Sequence, residues 1–291
     1  MSVATNAHSR RRERTRRIVN DIMLGLTGLA TIVAVIPLVW IVLYVIKEGG
    51  RFLSLSFFTH TPTPVGVPGG GVANAIVGSV ILVALASIMS IPPGILAAVY
   101  ASARPNTPLG VGLRFCTDVL SGVPSIIVGI FAYTVIVLPM RQFSAFAGGF
   151  ALAVIMLPTV IRTTEEMLNL VPANLREGSL ALGAPEWKTS LSVVLPAALE
   201  GVATGIMLGI ARVAGEAAPL MLTSFGNPFM STDIFQPIAA LPQTIYVYAV
   251  SPYRDWHDKA WTTALVLLIL VLGLNVIARL IIGWRRRKLG L

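Results

Sequence analysis

The chain has 291 residues, of which 55% are apolar and only 12% are charged. A soluble domain carries about a quarter charged residues, so this composition excludes an ordinary soluble fold and favours helices in lipid. The net charge of +9 collects at the two ends of the chain, which argues against nucleic-acid binding. A single cysteine and three widely spaced histidines argue against a disulfide and a metal site.

A basic segment, residues 1–19, precedes the first apolar run. Such a start is also typical of a cleaved signal, and Arg16-Arg17 superficially resembles a twin-arginine signal. The apolar run is too long for a signal, and further runs follow it. We therefore expect a retained first helix.

Six membrane spans are predicted between residues 20 and 284, because each needs roughly 20 apolar residues to cross the bilayer. Ile91–Gly94 and Gly122–Pro124 should kink the second and third spans. Most Lys and Arg outside the spans fall on the side of the chain termini, so both termini, including the basic tail 285–291, are predicted to be cytoplasmic and to contact anionic lipid. The spans are expected at 20–46, 72–103, 113–138, 147–168, 195–224 and 260–283.

This topology places residues 169–194 in a cytoplasmic loop and residues 225–259 in a long outer loop. Aromatic residues near the outer edge of the last span, such as Tyr248 and Trp256, are interpreted as an interfacial belt.

The cytoplasmic loop contains proline and glycine residues at positions that predict two short helices. One short amphipathic helix is predicted to start after Pro172 and to end at Gly183 in a left-handed cap, and a second is predicted to begin near Pro185. Two such helices would form a compact projection suited to a partner's groove. An ordinary re-entry loop is the alternative.

The spacing in this loop resembles the coupling-loop signature of bacterial ABC importer permeases. The resemblance implies a six-helix type I permease whose loop sits in a cleft of a separate ATPase. Two residues stand where alanines are usual, Gly178 and Ser179. The signature positions are Glu177, Gly178, Ser179, Gly183, Leu195 and Pro196.

Three further stretches, Ser121–Gly129, Ile161–Leu168 and Ala211–Leu220, resemble motifs of the A-type permease subunits of high-affinity phosphate importers. One departure is Ala217, where a threonine is usual. The resemblance implies a second, related permease subunit as heterodimer partner, two ATPase subunits that bind ATP and Mg, and an extracytoplasmic phosphate-binding protein. It implies the bacterial cytoplasmic membrane as location and no cofactor on this chain.

Arg212 and Glu216 are the first candidates for a substrate path. They are four residues apart within a predicted span and are expected to share a helical face. Arginine can bind phosphate oxygens bidentately, with the glutamate orienting it. A structural ion pair is the alternative.

Two further groups are weaker candidates for the substrate path. Arg162 with Glu165 and Glu166 could form a gate or coupling pair, or a solvated helix end. Ser121 and Ser125 could flank a helix amino terminus suited to an anion where the span breaks, or a plain proline kink. The sequence places Asp118 and Glu200 at inner helix ends, where solvation is the expected role.

The sequence contains no phosphate-binding loop of the Walker A type and no nucleophile–base–acid set, so it predicts a permease rather than an enzyme. A permease for sulfate or molybdate on the same scaffold is the nearest alternative. An ion-coupled secondary transporter often carries internal repeats, and none is found in this sequence. A membrane sensor would leave Arg212 and Glu216 unexplained.

Overall fold

The computed structural model describes residues 3–67 and 69–289, and the regular structure in this part of the chain is helical, apart from one isolated bridge between Phe225 and Ile238. The helices are α1 (Val3–Gly49), α2 (Leu55–Thr59), α3 (Ala73–Ala103), α4 (Pro108–Gly122), α5 (Ser125–Met140), α6 (Ala145–Asn169), α7 (Ala173–Ala181), α8 (Glu186–Ala197), α9 (Leu199–Ala214), α10 (Ala218–Met221), α11 (Leu241–Ala249) and α12 (Arg254–Leu289).

The two predicted basic segments, 1–19 and 285–291, lie partly outside this description. Residues 1, 2, 290 and 291 are not covered, and neither are most of the basic side chains that motivated the prediction. The backbone that is described belongs to α1 and α12.

Four helices are long and apolar enough to cross a membrane by length and composition: the Arg16–Phe52 region, α3, α6 and the Arg254–Ala278 part of α12. Two bent pairs, α4 with α5 and α8 with α9, bring the number to as many as six in the described chain. The spans predicted at 72–103 and 147–168 lie in α3 and α6.

The third predicted span, 113–138, is sharply bent. Its two helices, α4 and α5, meet at 105°. Pro124 lacks an N–H, and Val123 before it has the extended conformation that proline favours, with φ −74° and ψ 128°. The break predicted here is confirmed. Helix α3 continues without interruption through Pro92 and Pro93, and the kink predicted there stays a prediction.

The fifth predicted span, 195–224, is not a single helix. Ala198 leaves helical geometry, with φ −90° and ψ 0°, and α8 and α9 meet there at 76°. Helix α9 then ends at Ala214. Consequently α8 extends beyond the predicted limit of the cytoplasmic loop, and Leu195 and Pro196 lie within this helix.

A wide turn precedes a Leu-Pro pair in both α5 and α8. The π-helical turns are Tyr133–Val137 before Pro139 and Ser190–Val194 before Pro196. A proline ring clashes with the carbonyl four residues earlier in a regular α-helix. A widened turn relieves this clash, so each helix continues through its proline.

The core holds α6 between α3 and α9. Leu82, Leu152, Met156, Val160 and Val213 are almost completely buried there. Small residues let α9 approach α6 closely, as is usual between helices in lipid. A Cβ atom at Gly205 would overlap Thr163, and one at Gly209 would lie 3.3 Å from Met156 Cγ. This contact sets the positions of the charged residues that α6 and α9 carry.

Helix α1 stands at the edge of the bundle. Its apolar segment is almost entirely exposed, and it contacts α12 near its own carboxyl end, where Tyr44 meets Trp261 edge-to-face with ring centroids 5.0 Å apart. In the part of the chain that the structure describes, most of the apolar surface of α1 is therefore left uncovered.

Candidate functional site

Arg212 lies in the last turn of α9 and points at α6. Its Nη1 donates to the hydroxyl of Thr159 at 3.4 Å, and the side chain is exposed. Among the described residues it takes part in no ion pair. The charged end is therefore available to an anion from outside the chain.

Glu216 does not share a helical face with Arg212. Helix α9 is capped at Gly215, whose N–H bonds to Arg212 O at 3.2 Å, and Glu216 follows in a turn, with its N–H on Val213 O. The helix cannot continue smoothly into Pro219. The expectation of an i,i+4 pair was wrong, because it assumed an unbroken helix.

Arg162 is held by two carboxylates. Its Nη1 forms a close ion pair with Asp118 Oδ1 on α4, and its Nε lies 3.4 Å from Glu166 Oε1 one turn further along α6. All three side chains are more than half exposed. Asp118, expected to be an ordinary solvated residue, is thus the partner that links α4 to α6 at this point.

Glu165 belongs to a second, more buried pair. Arg114 of α4 donates to Glu165 Oε1 through Nε at 2.6 Å and reaches Ala101 O with Nη2 at 3.2 Å. The Glu165 side chain is only 12% exposed. This network fastens α3, α4 and α6 together, which is a structural role.

Both pairs line one polar pocket of about 280 Å³. Three carboxylates, those of Asp118, Glu165 and Glu166, face two arginines there. Because the acids outnumber the bases, the closed cluster does not attract an anion. Arg162 would be available to an anion only after it separates from its carboxylates.

Ser121 and Ser125 flank the break between α4 and α5. Ser121 Oγ donates to Thr117 O at 2.8 Å, as a helical serine commonly does, and Ser125 opens α5. No hydrogen bond joins either serine to Arg212 in the described chain. An anion-binding role for the new helix end stays a prediction.

The coupling helices, α7 and α8, form the predicted projection. Gly183 ends α7 with φ +81°, and its N–H bonds to Leu180 O at 2.9 Å, which confirms the left-handed cap. Ser179 Oγ and Thr189 Oγ1 lie 2.9 Å apart and join the two helices. Pro185 directly precedes α8 as its N-cap.

The outer face of the coupling helices is apolar and open. Leu182 is 91% and Trp187 67% exposed, and a Cβ atom added at Gly178 would meet nothing within 4 Å. Glu177 is exposed beside them. Large apolar side chains grouped with an acidic one at a surface typically mark a protein contact.

The coupling helices are anchored to the bundle on their inner face. Arg104, just after α3, bonds to Glu186 Oε2 at 3.0 Å, and this hydrogen bond, with the attraction of the same carboxylate, raises the pKa of Arg104. Val194 is buried against Leu168 and Val202. Leu195 is half-buried and Pro196 exposed at the end of α8. A movement of α7 and α8 would therefore be transmitted to α6 and α9.

Thr159, Arg114 and Asp118 were missed as members of the site by sequence reasoning. Each partners a charged residue on another helix, so no local spacing signals it. The sequence did hold one signal. Arg114 and Arg162 are arginines near apolar spans, and such residues usually have acidic partners. No group of three or more His, Cys, Asp or Glu able to hold a metal occurs in residues 3–67 and 69–289.

Residues 90–290 match the family described as "Binding-protein-dependent transport system inner membrane component". A phosphate transport system permease protein PstA from Yersinia pestis is 43% identical, covering 97% of each chain. PstA 1 from Mycobacterium tuberculosis is 38% identical, covering 95% of this chain and 92% of its own. The chain belongs to the PstA family of permeases.

The permease fold is also recognisable in solved structures. The inward-facing MetNI methionine ABC transporter aligns with a TM-score of 0.59 at 20% identity, over 73% of this permease and 94% of that chain. The predicted fold, an all-helical type I ABC importer permease, is confirmed. As a permease component, the chain is a membrane protein that works with a separate ATPase and is not itself the enzyme.

Proposed function

We propose that this chain is a permease subunit of an ATP-driven phosphate importer and forms half of its translocation pore. Arg212 carries the proposal: it is an exposed arginine in a membrane helix, it has no acidic partner among the described residues, and it faces the Thr159 hydroxyl. The names of the PstA relatives supply the substrate.

The physical chemistry of Arg212 supports an anion as its partner. A charge near the bilayer centre costs about 2.5–3.5 kcal/mol on insertion scales, so it normally faces water or a functional partner. The planar guanidinium can donate two parallel hydrogen bonds to phosphate oxygens. The Thr159 hydroxyl can add a third donor.

Arg162 would be the next residue along the substrate path to contact phosphate. It lies one turn beyond Thr159 on α6, a rise of about 4.5 Å, and on the same side of that helix. Its carboxylate partners would hold it when no phosphate is present. Movement of α4 relative to α6 would release it, since Asp118 and Arg162 sit on different helices.

ATP would be bound and hydrolysed by partner subunits rather than by this chain. Two ATPase subunits would bind ATP and Mg, and each would receive a pair of coupling helices such as α7 and α8. Glu177 would face a basic residue in the cleft, with Leu182 and Trp187 packed against apolar side chains. ATP binding would move these helices and open the pore outward, and hydrolysis would reset it.

A second, related permease would complete the pore. The uncovered apolar surface of α1 is consistent with such a neighbour and with lipid. The excess of Lys and Arg on one side supports a cytoplasmic position for both termini and for α7–α8. The loops around α2 and α11 then face outward, where a phosphate-binding protein would deliver substrate.

Uptake by the reconstituted complex tests the proposal. Proteoliposomes holding both permeases and the ATPases are supplied with the binding protein, labelled phosphate and internal ATP. We expect ATP-dependent uptake that excess sulfate or molybdate does not reduce. Inhibition by either oxyanion at equal concentration would favour the alternative substrate, and uptake driven by an ion gradient without ATP would favour a secondary transporter.

A further inference from the structure

The short turn between α3 and α4, residues 104–107, connects the coupling helices to the helix that carries Asp118. The Arg104 guanidinium donates to Glu186 Oε2 from Nη2 at 3.0 Å and from Nε at 3.4 Å. Glu186 is the first residue of α8, so its carboxylate moves with that helix. Among residues 3–67 and 69–289, no other hydrogen bond or ion pair joins α7 or α8 to this turn or to α4.

The ion pair of Arg104 with Glu186 lies at the surface. The two side chains are 56% and 63% exposed. An exposed ion pair contributes little to the stability of a fold, because water competes for both charges. The two hydrogen bonds to one oxygen nevertheless define how the groups lie relative to each other. A role in positioning therefore fits this pair better than a role in stability.

The backbone of Arg104 is tied to the start of α4. Thr107 is the N-cap of α4, and its Oγ1 accepts from Gly110 N at 3.2 Å and donates to Arg104 O at 2.9 Å. The backbone of Gly110 lies close to the same carbonyl, since a Cβ atom there would overlap Arg104 O. A displacement of Arg104 is therefore carried into the first turn of α4.

Helix α4 is held to α6 at two points of unequal strength. Arg114 pairs with Glu165, whose side chain is only 12% exposed, and it also bonds to two backbone carbonyls that precede α4. Asp118, one turn further along α4, pairs with Arg162, and both of these side chains are more than half exposed. The exposed pair is the weaker one. When the start of α4 is displaced, Arg114 therefore acts as a fulcrum, and Asp118 separates from Arg162 first.

From these contacts we infer that Arg104 and Thr107 are positioning residues, which transmit movement of α8 to α4 and so control the ion pair that holds Arg162. The inference rests on the proposed function, in which ATPases move α7 and α8. The apolar contacts of α8 with α6 and α9 do not provide this route. Asp118 can separate from Arg162 only if α4 and α6 move differently, and the link through Arg104 acts on α4 alone.

The amount of phosphate taken up per ATP hydrolysed tests Arg104 in proteoliposomes that hold the full complex. Arg104→Gln should lower this ratio about 2- to 30-fold, the range typical of residues that couple two sites, while the ATPases co-purify as before. Arg104→Lys keeps the charge and should recover most of the ratio. Arg51→Gln, which breaks an ion pair with Glu48 far from this turn in sequence, is the matched control and should leave the ratio unchanged.

Exchange of the two charges separates positioning from docking. The double variant Arg104→Glu with Glu186→Arg restores an ion pair at the same place, so it should recover part of the ratio lost in Arg104→Gln. Loss of the ATPases from the Arg104→Gln complex, or no recovery in either Arg104→Lys or the charge-exchanged variant, would overturn the inference.

The single cysteine of the chain allows a direct measurement of the helix movement. Cys116 is exposed on α4, about 200° around the helix from Arg114 and from Asp118, and Leu170, 73% exposed, directly follows α6. Spin labels at Cys116 and at Leu170→Cys, in a complex whose other subunits lack cysteine, report the distance between α4 and α6 by EPR spectroscopy. We expect a non-hydrolysable ATP analogue to change this distance, and to change it much less in Arg104→Gln.

Two EPR results would overturn the inference. One is a distance that the ATP analogue leaves unchanged when Arg104 is present, and the other is the same change in Arg104→Gln. The measurement needs no phosphate, so the two proposals fail separately. A distance change that depends on Arg104, in a complex without phosphate uptake, refutes only the proposed substrate. Normal phosphate uptake with a distance that does not respond to Arg104 refutes only the link.

Thr107 is tested by substitutions that differ in the hydroxyl. Thr107→Val removes the group that caps α4 and bonds to Arg104 O, whereas Thr107→Ser keeps it and should behave as wild type. If one series of contacts carries the movement, Thr107→Val together with Arg104→Gln should lower the uptake per ATP no further than the stronger single variant. Additive losses would show two independent effects and would remove Thr107 from the link.

Discussion

The guanidinium of Arg212 and the hydroxyl of Thr159 lie 3.4 Å apart across the contact between α9 and α6. Both groups are hydrogen-bond donors toward an anion, and no carboxylate neutralises Arg212 in the described residues. Arg162 follows one turn later on α6, but two carboxylates hold it. Under the proposed function, Arg212 and Thr159 would form the accessible position for phosphate, and Arg162 would become available only after it separates from its carboxylates.

Replacing Arg212 with Gln should reduce ATP-dependent phosphate uptake about 10- to 100-fold, because a charge-assisted contact with the anion is lost. Assembly with the partner permease and ATPases should be unchanged, since Arg212 forms no ion pair in the described chain. Arg254→Gln, an exposed arginine at the start of α12, is the matched control. Wild-type uptake by the Arg212 variant would remove this residue from the path.

Thr159 is tested by two substitutions that differ in one group. Thr159→Val keeps the shape and removes the hydroxyl, whereas Thr159→Ser keeps the hydroxyl. We expect uptake to fall severalfold in the Val variant and to stay near wild type in the Ser variant, measured over a range of phosphate concentrations. The same loss in both variants would indicate a packing role.

The carboxylates of the polar pocket should differ in their effect on stability. Glu165→Gln breaks a pair that is largely buried and should cost about 1–3 kcal/mol in the free energy of unfolding. Asp118→Asn and Glu166→Gln affect pairs that are more than half exposed, so each should cost less than about 1 kcal/mol. Thermal unfolding of the purified complex measures the difference.

Asp118→Asn should nevertheless change transport. Freed from one carboxylate, Arg162 would hold phosphate more strongly and slow its release to the cytoplasm, so uptake per ATP hydrolysed should fall. Glu166→Gln, on the same helix as Arg162, gives a comparison in which the link between α4 and α6 is kept. A stability loss in Asp118→Asn as large as that in Glu165→Gln would refute this division of roles.

The coupling helices offer a substitution that leaves the chain itself intact. A Cβ atom added at Gly178 meets no described atom within 4 Å, so the isolated Gly178→Leu permease should fold normally. In the complex the added side chain would enter the ATPase cleft, and co-purification of the ATPase should drop. Gly273→Leu, at an equally open position on α12, is the control. A bulky residue at Gly183 should also weaken docking, but it strains the left-handed backbone as well.

Undiminished ATPase co-purification, together with phosphate-coupled hydrolysis in the Gly178→Leu complex, would contradict docking at this surface. Loss of the ATPase from the Gly273→Leu control as well would show that the assay reports general misassembly.

The sequence predicted the parts of this architecture that depend on local chemistry. Gly183 ends α7 because glycine adopts positive φ readily, and Pro124 breaks the third span because it lacks an N–H. The bend angle at Pro124 could not be predicted from the sequence, since packing between helices sets it. The same holds for the pairing of Arg162 with Asp118, which are 44 residues apart.

Two errors have one physical origin. Glu216 was placed on the face of Arg212, and residues 195–224 were read as one helix, because apolar composition does not report where a helix in lipid bends. The bend at Ala198 and the cap at Gly215 both lie within a predominantly apolar stretch, so composition does not reveal them.

The approach of α9 to α6 should control the position of Arg212, and Gly205 tests this. A Cβ atom there would overlap Thr163, so Gly205→Ala must push the helices apart and separate Arg212 from Thr159. Gly209→Ala adds the same methyl group next to the flexible Met156, at 3.3 Å from its Cγ, and should be tolerated. Uptake and thermal stability should both fall in the first variant and change little in the second.

Adding Thr163→Ala to Gly205→Ala removes the hydroxyl that lies nearest to the new methyl group, and so it should restore part of the lost uptake. Thr163→Ala alone removes hydroxyl hydrogen bonds to Thr159 O at 2.7 Å and Val160 O at 3.5 Å, both within α6, and should be close to neutral. Recovery of stability without recovery of uptake would show that the helix spacing matters for folding but not for Arg212. Recovery of both would tie the substrate position to the glycine contact, because the double variant changes no residue that faces the anion.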